Sequence, residues 1–104
     1  MAFDSSETLK DMAAAAKDVV AGEWPKIKDC AEDALKEQEE VLREIAEARV
    51  KGDITDEELE SQLEDERLAF QAVLLACEVK TKATAQRAAN AAFKVLEKAI
   101  EAAL

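Results

Sequence analysis

Lys51-Gly52-Asp53-Ile54-Thr55-Asp56-Glu57-Glu58-Leu59 ends one helix and begins another within nine residues. Gly52 suits the C′ position of a helix, where left-handed backbone angles are needed and a residue without Cβ adopts them at little cost. Thr55 predicts an N-cap. Glu58, three residues on, completes a capping box in which each side chain accepts the other residue's backbone N–H. Ile54 and Leu59 have the N′ and N4 spacing of a hydrophobic staple. Asp56 and Glu57 place negative charge at the positive end of the helix dipole. The chain turns at 52–55, with long helical sequence on both sides.

Upstream, Asp4-Ser5-Ser6-Glu7 has capping-box spacing, so a helix is expected over 4–51. Apolar or small residues recur in steps of three and four at Leu9, Ala13, Ala16, Val20, Trp24, Ile27, Ala31, Ala34, Val41, Ile45 and Ala48, with Gln38 as the polar interruption. Gly22-Glu23-Trp24-Pro25 interrupts this helix, because Pro25 cannot donate to the carbonyl of Ala21. Pro25 either starts a new helix or kinks a single one. The apolar phase continues from Val20 to Ile27, which predicts two nearly collinear segments with a kink or brief break at 22–25. Downstream, a helix is expected over 56–103, its stripe running through Leu59, Leu63, Phe70, Leu74, Cys77, Thr81, Thr84, Ala88, Ala91, Val95 and Ala99. Thr81 and Thr84 weaken it locally without ending it.

These spans predict an all-α chain, residues 1–104 forming one domain as a long antiparallel helical hairpin. Each arm is about 45 residues, or roughly 70 Å at about 1.5 Å per residue. Folding about 52–55 sets the Ala-rich part of each arm against that of the other. It also brings Cys30 opposite Ala76–Cys77, where the thiols are expected to be close, reduced and structural.

Residues 68–79, LAFQAVLLACEV, contain only Gln71 and Glu78 as polar residues. A helix apolar on nearly every side needs more than one neighbour. The opposing segment, 29–38, covers one face and leaves Leu68, Leu75 and Val79 over. Two hairpins pairing into a dimeric four-helix bundle would cover them, so these three residues are the expected oligomer interface. The alternative is a sharp kink that folds the N-terminal segment back into a three-helix bundle within one chain.

The formal charge is −10 over 104 residues. Residues 29–66 hold 16 acidic and 4 basic side chains, a net −12, which leaves +2 for the two ends together. An acidic middle argues against binding a phosphate backbone and permits a basic protein partner. The opening MAFDSSETLKDM has no basic and apolar leader pattern, and no apolar run is long enough to span a bilayer, so a cytoplasmic protein is expected.

Catalytic and metal chemistry lacks its parts. With no histidine and no Cys-x-x-Cys, the usual zinc patterns are absent. Bundle di-iron sites need Glu-x-x-His pairs. An EF-hand register on Gly52 would put Arg49 and Lys51 at ligand positions, which rejects calcium. Ser5, Ser6 and Ser61 have no histidine base. No cofactor, metal or catalytic residue is expected. Trp24, beside the bend, is a candidate partner anchor.

Gly52-x-Ile54-Thr55-x-Glu57-Glu58 resembles the start of short bacterial helical oligomerisation domains of the SHOCT type, over less than a fifth of the chain. The resemblance implies a helical module that self-associates. The expected function is a non-catalytic interaction or assembly protein, acting through oligomerisation, a dimer being favoured, and through an acidic hairpin tip. Two other readings are an acidic inhibitor that mimics nucleic acid toward a basic protein, and a metal-binding helical bundle.

Overall fold

The chain closes the 51–55 turn with its own backbone. In the computed structural model, which describes residues 3–104, Asp53 N–H donates to the Ala48 carbonyl at 2.8 Å and Gly52 N–H to Arg49 at 3.1 Å. Gly52 sits at φ 81°. This is the Schellman pattern, which satisfies carbonyls that a helix end leaves open. Glu58 N–H donates to Thr55 Oγ1, and Thr55 N–H to Glu58 Oε1. Ile54 and Leu59 pack against the core.

The described residues form four α-helices: α1 (Ser5–Val20), α2 (Trp24–Val50), α3 (Asp56–Ala76) and α4 (Lys82–Ala103), with a 3-10 turn at Ala21–Glu23. No strand occurs among the described residues. Each helix packs on the next in sequence, and α1 packs on α4, which closes the ring. The ring encloses a single core built on Met12, Ile27, Leu35, Phe70, Leu74, Leu96 and Ile100. Phe70 and Phe93 meet across it with ring centroids 6.2 Å apart. Ala13 and Ala16 of α1, with Ala85, Ala88, Ala89 and Ala92 of α4, are buried where small side chains let two helices approach closely.

This corrects the extended hairpin. The longest dimension is 39 Å, close to the length of α2 alone, where straight arms would reach roughly 70 Å. Both arms fold back at the same end. In the first arm, Ala21 takes φ 49° and the chain reverses instead of kinking, with Pro25 in the first turn of α2. In the second arm, α3 stops at Ala76 and Thr81 caps a separate helix, its Oγ1 accepting Thr84 N–H at 3.1 Å. Glu23 Oε1 accepts Lys80 N–H at 2.8 Å and ties the two reversals together. The four helices that sequence reasoning assembled from two copies are supplied by one chain.

Two polar contacts stitch α3 to its neighbours. Gln38, the interruption in the stripe of α2, donates through Nε2 to the Glu66 carbonyl at 3.0 Å. Arg67 pairs with Glu64 and donates to Gln71 Oε1 at 3.1 Å and to Asn90 Oδ1 of α4 at 2.8 Å. The cysteines are not free thiols. Cys30 and Cys77 form a disulfide between α2 and the end of α3, with Cα atoms 5.8 Å apart.

Candidate interaction surface

The ring topology decides what α3 shows to solvent. α2 lies on one side of it, through Gln38 and Cys30, and α4 on the other, through Asn90. α1 sits diagonally across the core, with no backbone approach to α3 within 8 Å between Cα atoms. No helix covers the outward side. From 68 to 76 that side carries Leu68, Ala69, Ala72, Val73, Leu75 and Ala76, all exposed. Phe70, Gln71 and Leu74 point inward and are buried. The nine residues contain no charge.

Leu68 is 49 % exposed, and Val73 and Leu75 are each 38 % exposed. Single exposed leucines are ordinary on a protein surface; a contiguous uncharged face is not. Leu68 and Leu75 share the row of Gln71, on the α4 side. Ala69, Val73 and Ala76 follow Glu66 and Cys77, on the α2 side.

The two flanks carry opposite charge. Along α2, Asp33, Glu37, Glu40 and Glu44 are exposed beside the face, and Val41 and Glu44 line the groove that α2 forms with Gln62 and Asp65 of α3. On the other side, α4 carries Lys82, Arg87 and Lys94 with no acidic residue before Glu97, while Lys80 lies in the reversal against the start of α2. Among the described residues, none of the seven charged side chains on these two flanks makes an ion pair within the chain.

The end of the bundle around the 51–55 turn is acidic. Asp53, Asp56, Glu57 and Glu58 are exposed there, with Arg49 Nη2 held by Asp56 Oδ1 at 2.8 Å. Nearby on α4, the Glu97 carboxyl is pushed above the usual carboxylate value, first by burial and then by Glu60 and Glu101; Lys94 opposes the shift and Glu64 adds to it. Among the described residues, no group of Cys, Asp and Glu side chains is arranged to hold a metal ion. Among the described residues, no helix is long and apolar enough to cross a membrane.

The three residues expected at an oligomer interface part company. Leu68 and Leu75 lie on the outward face. Val79 does not: it is 5 % exposed and closes the core where α3 meets α4. A helix continuing past Ala76 would have turned Val79 outward; the reversal turns it in. Trp24 is 8 % exposed at the start of α2, a packing residue with no free ring to offer a partner. Sequence reasoning missed Val73 and the alanines around it, whose outward position depends on α3 having neighbours on two sides. The division between acidic α2 and basic α4 was hidden in the whole-chain charge, although the acid-free run 79–96 is its sequence signal.

Comparison with protein families, with curated proteins and with solved structures finds no match to this chain.

Proposed function

We propose that this protein is a non-catalytic assembly protein that self-associates through the outward face of α3 and presents its acidic end to a basic protein partner. The observation that supports this reading is the uncharged face from Leu68 to Ala76, exposed on a chain whose own four helices already enclose a core. Covering a half-exposed Leu or Val is worth roughly 1 kcal/mol. Leu68, Val73 and Leu75 from two copies therefore supply enough to offset the lower part of the association cost of about 4–15 kcal/mol. A weak, concentration-dependent dimer is expected.

Sedimentation velocity over a concentration series tests it. The wild-type sedimentation coefficient should rise with concentration, while Leu68→Glu and Leu75→Glu chains should stay monomeric and folded. A wild type that remains monomeric at the highest concentrations removes the reading.

A further inference from the structure

We infer that the occupant of the α3 face is a second copy of the chain, with the two α3 helices running parallel across a two-fold axis, so that the acidic α2 flank of each copy lies against the basic α4 flank of the other. This rests on the α3 face being where the copies meet. The face is bordered by acid on one side and base on the other, with both sets of charges unpaired within the chain. A uniformly basic partner would suit one border and be repelled by the other. A second copy carries both complements.

Two-fold symmetry allows two arrangements of a pair of α3 helices. With the axis across the helices, the helices run antiparallel and each flank meets its own kind. Asp33 and Glu37 then face acid, and Lys82 and Arg87 face base. With the axis along the helices they run parallel, and α2 of each copy faces α4 of the other. Electrostatic complementarity of this sort fixes register and orientation more than raw affinity.

Side-chain size agrees with charge. Leu68 and Leu75 lie on the α4 side of the face, and Ala69, Val73 and Ala76 on the α2 side. In the parallel pair, the leucines of one copy fall on the alanine side of the other, and large side chains enter the space left by small ones. In the antiparallel pair, leucine stacks on leucine and alanine on alanine. Toward the 51–55 turn the outward row changes to Ser61, Asp65 and Glu58. The helices therefore cross where the alanines permit close approach and diverge toward their acidic ends.

Charge reversal at exposed positions tests the arrangement, read as the dimer dissociation constant by sedimentation equilibrium, with circular dichroism confirming that each chain is folded. Asp33→Lys with Glu37→Lys, and separately Lys82→Glu with Arg87→Glu, should each weaken the dimer about tenfold at low salt. All four substitutions in one chain should return it to near the wild-type value. The α2 variant is the stringent arm. General repulsion between copies of net charge −10 predicts tighter association for it, because its net charge falls in magnitude. If both flank variants keep the wild-type dissociation constant, the pairing is like-with-like and the parallel arrangement is wrong, while self-association stands. A wild type that never dimerises overturns both.

Discussion

Glu78 occupies, at the end of α3, the backbone position that Gly52 occupies at the end of α2. Gly52 has φ 81° and Glu78 has φ 74°. The hydrogen bonds match as well. Val79 N–H donates to Leu74 and Glu78 N–H to Leu75, as Asp53 and Gly52 donate to Ala48 and Arg49. A side chain in the left-handed region costs roughly 1–2 kcal/mol, a cost glycine avoids. Nothing lies within 4 Å of the place where a Cβ on Gly52 would sit, so conformation alone is at stake there. Glu78→Gly should raise the unfolding free energy by about 1 kcal/mol, and Gly52→Ala should lower it by about the same. Urea midpoints at unchanged slope measure both, and a Glu78→Gly chain less stable than wild type would contradict the assignment.

The same pair of residues shows how far the sequence was legible. The turn at 51–55 announces itself because Gly52, the capping box and the staple agree. The turn at 77–81 uses the same closing bonds with Glu78 in place of glycine, and Thr81 reads equally well as a β-branched residue inside a helix. The reversal at 21–23 was hidden for a different reason. The stripe from Val20 to Ile27 says which side faces the core, and that side faces the core whether the chain continues or turns back. All-helical content, the 51–55 turn and the Cys30–Cys77 neighbourhood follow from local chemistry. The number of helices around the core, and with it the exposure of Val73 and the burial of Val79, depends on two reversals that local chemistry marks weakly.

The Cys30–Cys77 bond joins positions 47 apart in sequence and closes a loop that contains most of α2 and all of α3. Such a link removes freedom from the unfolded chain, and its loss should cost about 2–4 kcal/mol. A Cys30→Ser, Cys77→Ser double variant, or wild type under reductant, should unfold at correspondingly lower urea while keeping its helical circular dichroism in native buffer. Unchanged midpoints with and without reductant would mean that the two sulfurs are not joined in solution.

Glu97 sets a pH dependence. Burial and the neighbouring Glu60 and Glu101 raise its carboxyl above 4.5, so the folded chain holds the proton more tightly than the unfolded one. The stability gained from that proton is fully present below the unfolded value and is lost as pH rises through the folded one. At neutral pH the ionised group therefore opposes folding. Glu97→Gln should stabilise the protein at pH 7 by less than about 1 kcal/mol, the group being exposed and screened. The advantage should shrink toward pH 4. An advantage that grows on acidification would show that the carboxylate is held by a favourable partner.

Leu75 and Val79 look alike in sequence and differ in the fold, which makes them a paired test of the α4 boundary. Leu75 stands on the outward side of α3, and Val79 seals the core where α3 hands over to α4. A charge at Leu75 stays in water, so Leu75→Glu should change monomer stability by no more than about 0.5 kcal/mol. At Val79 the same substitution removes buried apolar surface and places a carboxylate in a site without a partner, for a cost of several kcal/mol. Thermal unfolding at concentrations low enough to keep both chains monomeric separates the two effects from any effect on self-association. If α3 continued as one helix through Thr81, both valine and leucine would lie outside the core. The two glutamate variants would then unfold together, close to wild type.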